Sequence, residues 1–292
     1  MRILVTGAGG MLGSAFSQVP QGHQIIRAGR EMLQITDPRR LDEWIGRVAP
    51  EVLINCAADT DVEAAERDPE RAMAANAFLP GRLAAACRHS GALLVHFSST
   101  GCYGAWKDDP FTEEDEVRPT TAYHRSKVFG EAAVREAGCE FLVIRTGWLF
   151  GGSPGHAKNF VWKRLLEARS VDRLVSDASQ VGNPTHADDV VRQTMAMLDR
   201  GLRGTFNCVS RGRASRFDYV RRIVQTAGLP CLVEAATVPF SRLAKVSPNE
   251  SGSNRKLRVL GAEFMPEWRE SLDDYVSKLI TTPEWGALNV DV

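Results

Sequence analysis

No stretch of this 292-residue sequence approaches the roughly 20 apolar residues that a membrane-spanning helix requires. The apolar run at residues 1–6 is also far too short to be a secretory signal peptide. These absences predict a cytoplasmic protein with no membrane partner.

An excess of charge of either sign is also lacking, because 36 acidic residues balance 36 basic ones. Nucleic-acid binders usually carry a strong basic excess, so we expect no nucleic-acid partner. The six cysteines include no Cys-x-x-Cys pair. We therefore predict neither a metal site nor a disulfide framework.

The length and the pattern of the chain predict an α/β protein. At 292 residues the chain lies above the usual size of one domain. Up to about residue 150, short apolar runs alternate with helical patterns, which is typical of a Rossmann-type, doubly wound parallel sheet. We predict a nucleotide-binding domain at 1–150. Residues 151–292, where turn formers interrupt the pattern, are predicted to form a small C-terminal substrate-binding lobe interleaved with returning sheet elements.

The predicted strands lie near residues 2–6, 23–28, 51–55, 92–97 and 141–146. The predicted helices lie near 11–19, 38–48, 70–89, 121–137, 158–168, 186–200, 214–228 and 267–280.

Three glycines follow the first predicted strand and open the first helix. Gly7, Gly10 and Gly13 have a G-x-x-G-x-x-G spacing. Glycine suits a tight turn whose backbone approaches a pyrophosphate at a helix N-terminus. Placed between a strand and a helix, the motif predicts a bound dinucleotide.

The end of the second strand indicates which dinucleotide is bound. An NAD enzyme commonly has an acid there for the ribose 2′-hydroxyl, but this strand ends in Arg27-Ala28-Gly29-Arg30. Arg30, with Arg27, offers planar donors that suit a 2′-phosphate. The sequence therefore favours NADP(H), with NAD(H) as the alternative if these arginines are only solvated.

Tyr123 and Lys127 are four residues apart on a predicted helix. This spacing places both side chains on one face, so the ammonium can lie near the phenol. A free tyrosine has a pKa of about 10, which a nearby cation is expected to lower. The phenol can then protonate a carbonyl oxygen as the carbonyl carbon receives hydride.

The fourth predicted strand leads into Ser98-Ser99-Thr100. These hydroxyls fall at the carboxyl end of a strand, where α/β sheets bind their ligands. We predict that Ser99 polarises the substrate carbonyl and that Thr100 lies beside the substrate.

With these residues, the chain resembles the extended short-chain dehydrogenases/reductases, and most of all the dTDP-4-dehydrorhamnose reductase family. The resemblance extends over nearly the whole sequence. Its most specific stretches are residues 33–38, 50–55, 75–77, 123–131, 145–150, 158–161 and 180–185.

The resemblance implies NADPH-dependent reduction of the 4-keto group of a nucleotide-linked 6-deoxy sugar, with Ser99, Tyr123 and Lys127 as the catalytic set. It implies that the cofactor is lined by Gly7, Gly10, Met11, Leu12, Ala57, Ala58 and Thr60. It implies that the sugar nucleotide is contacted by Trp148, Asn159 and Gln180. For Trp148, a role in the core is the alternative.

The chain departs from the family in three places. Ser99-Thr100 stands where the family usually has Thr-Asp, so any proton-relay role of that carboxylate is lost or moved. Gln34 stands where the family commonly has Asp, so the adenine-side contacts are not carried over. Residues 101–104 are closer to an epimerase or dehydratase pattern, so the sugar can differ from that of the family's namesake.

Two other functions stay open on the sequence. A nucleotide-sugar epimerase of the same fold is one, whereas a dehydratase is disfavoured because Thr100-Gly101 offers no acid–base carboxyl pair. A non-catalytic, NADP-binding regulatory subunit is the other, since a fold does not fix an activity. Oxidation of the cofactor in the presence of substrate distinguishes a reductase from both. A homodimer is also left open.

Overall fold

The computed structural model describes residues 1–19, 22–29, 32, 37–238 and 240–287. Its strands are β1 (Arg2–Thr6), β2 (Gln24–Arg27), β3 (Val52–Asn55), β4 (Leu93–Ser99), β5 (Phe141–Thr146), β6 (Trp148–Phe150), β7 (Arg173–Ser176), β8 (Val181–Gly182), β9 (Pro184–His186), β10 (Gly204–Cys208), β11 (Ala214–Ser215) and β12 (Leu232–Ala235).

Helices flank these strands and fill the C-terminal part. They are α1 (Met11–Phe16), α2 (Pro38–Val48), α3 (Val62–Arg67), α4 (Pro69–Met73), α5 (Leu79–Ser90), α6 (Ala122–Glu136), α7 (Phe160–Ser170), α8 (Ala187–Asp199), α9 (Arg216–Thr226), α10 (Arg255–Val259), α11 (Trp268–Leu279) and α12 (Pro283–Ala287). A π-helical turn spans Ala74–Phe78, and a 3₁₀ turn spans Thr100–Tyr103.

The central sheet has six parallel strands in the order β10-β5-β4-β3-β1-β2. The strand order reverses between β1 and β3, and the crevice outside the carboxyl ends at such a point is where open α/β sheets bind ligands. The prediction of a Rossmann-type doubly wound sheet is confirmed. All five predicted strands are present, and β10 is an addition that the sequence pattern did not reveal.

Alternate residues of each buried strand supply two separate core layers. On β1, Ile3 and Val5 pack into the layer that α1 and α8 cover, whereas Leu4 packs into the layer under α2 and α5. This alternation follows from the two-residue period of a strand. Both faces of the sheet are therefore covered, as a parallel sheet requires.

The predicted helix at 70–89 is interrupted in the structure. It consists of α4 and α5 joined by the π-helical turn, with the short helix α3 preceding it. Asn76 in this turn makes tertiary contacts, because its side chain bonds to the backbone of Asp59 and to Ser126. A helical period in the sequence does not report such a contact.

The lobe beyond β5 has its own apolar cluster around Phe150, Tyr219 and Trp268. Short strand pairs, β6 with β9, β7 with β12 and β8 with β11, hold its loops. Two elements in this half, α8 and β10, pack on the main sheet instead. β6 begins one residue after β5 ends. The lobe therefore lies next to the carboxyl ends of β4 and β5.

Candidate active site

The glycine loop lies where β1 meets the segment after β3. Gly7 has a φ of +63°, and a Cβ on it would lie 2.6 Å from the backbone nitrogen of Ala57. A Cβ on Gly13 would lie 2.2 Å from the carbonyl oxygen of Gly7. Gly10 precedes α1 without any side-chain cap, and its backbone is exposed. The exposed backbone of this loop fits the pyrophosphate of a dinucleotide, which needs close approach and free N–H groups.

The other residues predicted to line the cofactor have differing surroundings. Ala57 and Ala58 follow β3 directly against the loop and are at least partly exposed, as is Met11. Thr60 accepts a hydrogen bond of 2.6 Å from Lys158 Nζ. The side chain of Leu12, in contrast, is buried in the core under the sheet, so only its backbone can line a cofactor.

One of the two arginines of the second strand lies beside the glycine loop. Arg27 Nη2 donates a hydrogen bond of 3.1 Å to the carbonyl oxygen of Ala8, and the side chain is otherwise exposed. The remaining guanidinium donors can reach a phosphate placed at this loop. Arg30, which carries the NADP(H) prediction, and Gln34 lie outside the described residues.

Tyr123 and Lys127 are one turn apart near the start of α6, where Thr121 caps the helix. The Lys127 side chain is buried, and among the described residues none accepts a hydrogen bond from its ammonium. Burial lowers the pKa of Lys127 to about 8. Burial raises the pKa of the Cys56 thiol, and the positive charge of Lys127 acts in the opposite direction. The ammonium therefore lies near Cys56, the first residue after β3. An unpaired, buried ammonium beside the glycine loop fits the hydroxyls of a cofactor ribose.

The phenol of Tyr123 differs from the expectation. Burial, followed by the charges of Cys102, Glu250 and Asp59, raises its pKa above the ordinary value of 10. The predicted lowering of the pKa by Lys127 is not observed: the loss of water around the phenolate is the largest effect, and the neighbouring groups that act on the phenol raise its pKa further. A phenol with a raised pKa keeps its proton at neutral pH, so it can act as an acid.

Ser99 is partly exposed at the end of β4. Its Oγ accepts a hydrogen bond of 3.2 Å from the backbone N–H of Gly101 and lies 3.4 Å from His124 Nε2. This contact ties the serine to the helix of Tyr123. Thr100, which we predicted beside the substrate, is instead buried, and its hydroxyl donates to the carbonyl of Thr146.

A buried ion pair fixes α6 against the sheet. Arg145 on β5 donates through Nε and Nη2 to the two carboxylate oxygens of Glu131, at 2.9 and 2.6 Å. Arg145 holds the pKa of Glu131 at about 2, against a burial effect that would raise it. Glu131 follows Lys127 by one turn, so this pair holds the face of α6 that contains Tyr123 and Lys127 against β5.

Trp148 and Gln180 meet in the lobe around an arginine. The Arg216 guanidinium carbon lies 3.4 Å from the centre of the Trp148 ring, and Arg216 Nε donates to Gln180 Oε1 at 3.3 Å. Burial lowers the pKa of Arg216 to about 10. The Trp148 indole N–H donates to Glu250 Oε2 at 2.7 Å. These contacts hold a partly buried cation beside two residues that were predicted to contact substrate.

Asn159 has a structural role here. Its side-chain nitrogen donates to Tyr275 Oη at 2.7 Å and to the carbonyl of Ser153 at 3.1 Å, and its oxygen caps α7. Both amide protons are thus used inside the lobe. The prediction that Asn159 contacts the sugar nucleotide has no free donor to support it.

The sequence reasoning missed three side chains of the site, His124, Arg216 and Glu250. His124 is next to Tyr123, and its position between Tyr123 and Lys127 could have identified it as a residue of the site. Arg216 is the first residue of α9 and Glu250 lies in a loop of the lobe, and neither has a motif around it. In the part of the chain that the structure describes, no group of His, Cys, Asp or Glu could hold a metal ion, and no helix is long and apolar enough to span a membrane.

Comparison with protein families gives a match over almost the whole chain. The RmlD substrate binding domain matches residues 1–281. A dTDP-4-dehydrorhamnose reductase from Mycolicibacterium smegmatis is 34% identical over 297 residues, which cover 98% of this chain and 88% of that relative.

Solved structures give the same result. A dTDP-4-dehydrorhamnose reductase from Clostridium acetobutylicum superposes with a TM-score of 0.91 at 32% identity, covering 96% of this chain and 99% of that chain. The reductase from Bacillus anthracis in complex with NADP has a TM-score of 0.90 at 26% identity, covering 95% and 99%.

Proposed function

Because the chain belongs to the RmlD substrate binding domain family, we propose that it is an NADPH-dependent oxidoreductase that reduces the 4-keto group of a nucleotide-linked 6-deoxy sugar to a hydroxyl. The relatives named as dTDP-4-dehydrorhamnose reductases, one of them in complex with NADP, support this reaction and this cofactor. The observation that carries it is the buried ammonium of Lys127, which has no hydrogen-bond partner among the described residues and lies one helical turn from Tyr123, beside the glycine loop.

The chain's own groups would divide the chemistry as follows. NADPH supplies the hydride that the carbonyl carbon accepts. Tyr123 holds its proton because burial raises its pKa, and it gives this proton to the carbonyl oxygen, which becomes the hydroxyl. The Lys127 ammonium stabilises the phenolate left behind until solvent returns the proton. Ser99 donates a hydrogen bond to the same carbonyl oxygen and stabilises the negative charge that develops there.

The binding residues follow from the same arrangement. Gly7, Gly10 and Gly13, with Met11, Ala57, Ala58 and Thr60, are proposed to surround the cofactor, with Arg27 and Arg30 at its 2′-phosphate. Trp148, Gln180 and Arg216 are proposed to contact the sugar nucleotide. Arg216 adds a cation to this group, which suits a ligand that carries a diphosphate.

One assay tests the proposal. NADPH absorbance is followed with a panel of dTDP- and GDP-linked 4-keto-6-deoxyhexoses. A reductase consumes one NADPH per sugar reduced, with at least one dTDP-linked member turned over. Interconversion of sugars without net NADPH loss would instead indicate an epimerase. Binding of NADPH without oxidation by any member of the panel would indicate a regulatory subunit and reject the proposal.

A second copy of the chain is proposed as a partner. Phe78, at the end of the π-helical turn, and Phe129, on α6, are 61% and 57% exposed beside a groove of about 720 Å³. Apolar patches of this kind often mark protein interfaces. Sedimentation should give twice the 32.1 kDa mass of one chain, and Phe129→Glu should give the single mass. A wild-type protein that sediments with the mass of one chain at micromolar concentration would reject the dimer.

The cytoplasmic location stays a prediction of the sequence.

A further inference from the structure

The hydroxyl of Ser99 is surrounded by groups that determine which way its proton points. A serine hydroxyl has one proton to give and two lone pairs. One lone pair of Ser99 Oγ already accepts from the Gly101 N–H at 3.2 Å. His124 Nε2 lies 3.4 Å away, and whether it donates or accepts depends on which ring nitrogen carries the proton.

A carboxylate faces the same ring nitrogen. Glu250 Oε1 lies 3.9 Å from His124 Nε2, and both side chains are buried. The other oxygen, Oε2, is held by the Trp148 indole. A negative charge at this position favours the tautomer with its N–H on Nε2, since the N–H dipole then points toward the carboxylate. The hydroxyl of Thr121 lies 3.0 Å from the opposite nitrogen, Nδ1, and can donate to it.

The space for this pair is made by one glycine. A Cβ on Gly101 would lie 2.2 Å from His124 Nε2 and 2.9 Å from Glu250 Oε1. Any other residue at 101 would thus separate the imidazole from both Ser99 and the carboxylate. Gly101, His124 and Glu250 come from the 3₁₀ turn, α6 and a lobe loop, so three distant parts of the chain build one contact.

We propose that His124 and Glu250 are positioning residues which hold Ser99 as a hydrogen-bond donor to the substrate carbonyl. Glu250 keeps the proton of His124 on Nε2, and Nε2–H donates to Ser99 Oγ. With both lone pairs of Ser99 occupied, its only proton is left for the carbonyl oxygen. Burial lowers the pKa of His124, with Lys127 acting in the same direction and Glu250 against it, so the ring is neutral, as this arrangement needs. The inference rests on the proposed reduction.

A double-mutant cycle on turnover tests whether His124 acts through Ser99. The side chain in His124→Asn is too short to place a donor where Nε2 lies. This substitution should lower kcat about tenfold with little change in KM, which is a smaller loss than removal of a whole oxyanion donor causes. His124→Gln places an amide N–H near the Nε2 position and should recover most of that loss. Glu250→Gln should lower kcat in the same way while keeping an acceptor for Trp148.

The decisive comparison makes the same substitutions in a protein that already carries Ser99→Ala. There, His124→Asn and Glu250→Gln should cause no further loss, because the hydroxyl they position is gone. Losses that multiply with that of Ser99→Ala would overturn the proposal. The matched control is His23→Asn, since His23 precedes β2, where its Nδ1 lies 3.4 Å from the nitrogen of Met1, and the substitution should leave kcat unchanged.

A second measurement does not depend on activity. The ¹⁵N shifts of the imidazole nitrogens, assigned by the signal lost in His124→Gln, report the tautomer in the free protein. We expect Nε2–H in the wild type and a shift toward Nδ1–H in Glu250→Gln. An Nδ1–H tautomer in the wild type would overturn the proposal even in an active enzyme. Absence of NADPH oxidation would instead count against the proposed reduction, and the tautomer would still decide the position of the Ser99 proton.

Discussion

Glu131 on α6 and Arg145 on β5 form a two-point ion pair that is buried between the helix and the sheet. It joins the helix of Tyr123 and Lys127 to the strand that leads into the lobe. Because its charge is out of water, Arg145 depends on Glu131 for its solvation, whereas Glu131 also accepts a hydrogen bond of 3.2 Å from Arg135 Nη1.

Removing one charge of this pair should be costly. Glu131→Gln leaves Arg145 buried and unpaired, and we expect a loss of about 3–5 kcal/mol in the free energy of unfolding. Urea denaturation measures it. Asp274→Asn is the control, because Asp274 and Lys278 form an exposed pair worth about 0.5 kcal/mol or less. A similar, small effect of both substitutions would contradict the assignment.

The same pair predicts how stability depends on pH. The pKa of Glu131 is lowered from 4.5 to about 2 in the folded protein, so the unfolded chain binds the proton first as the pH falls. Glu131 contributes its full stabilisation of the folded protein above the pKa that it has in the unfolded chain. This stabilisation is lost as the pH falls toward the pKa that Glu131 has in the folded protein. In denaturation at several pH values, Glu131→Gln should show a weaker dependence than the wild type across that window.

Tyr123→Phe tests the proposed acid. Loss of the phenolic proton should lower kcat a hundredfold or more, while NADPH affinity changes little because the ring remains in place. Stopped-flow turnover and fluorescence titration of NADPH measure the two effects. Turnover equal to the wild type would remove Tyr123 from the mechanism.

Arg27→Ala and Arg30→Ala test the choice of cofactor. If either guanidinium contacts the 2′-phosphate, its loss should weaken NADPH binding by about ten- to a hundredfold and NADH binding far less. Calorimetric titration with both cofactors measures this. Arg47→Ala, on the exposed end of α2, is the control and should affect neither. Equal weakening of both cofactors would dismiss the phosphate contact.

Lys127 predicts a limit at alkaline pH. With its pKa lowered to about 8, the ammonium is present below that pH and is lost above it. The kcat/KM of the free enzyme should therefore fall by up to about tenfold per unit above pH 8, since this ratio reports the ionisation of the free enzyme. The raised pKa of Tyr123 keeps its phenol from titrating in this range. Lys127→Met should be slower throughout and show no such fall. A wild-type profile flat to pH 10 would rule out this role.

The sequence was sufficient for the parts of the molecule that depend on local pattern. The short apolar runs of buried strands located β1 to β5, and the spacing of Gly7, Gly10 and Gly13 located the tight loop between β1 and α1. Tyr123 and Lys127 followed from one helical turn. Each of these features is encoded within a few neighbouring residues, so a single sequence without homologues is enough to predict it.

Contacts between distant segments could not be predicted in this way. β10 contains the polar residues Thr205 and Asn207, pairs with β5, and has its Asn207 side chain bonded to Tyr103, Phe111 and Ser253. Glu250 reaches His124 only because the lobe folds back over β4. Burial of Tyr123 likewise depends on the assembled site, and for this reason the expected direction of its pKa shift was wrong.

The sixth strand of the sheet has a consequence for any attempt to divide the chain. β10 pairs with β5, and α8 covers α1 from the half of the sequence that also forms the lobe. A fragment truncated after residue 150 would keep the glycine loop but would expose the edge of β5 and the apolar side chains of Leu12 and Phe16. Such a fragment should aggregate when expressed alone. We therefore expect that sequential halves of this protein do not fold on their own, because the N-terminal half needs α8 and β10 to cover it.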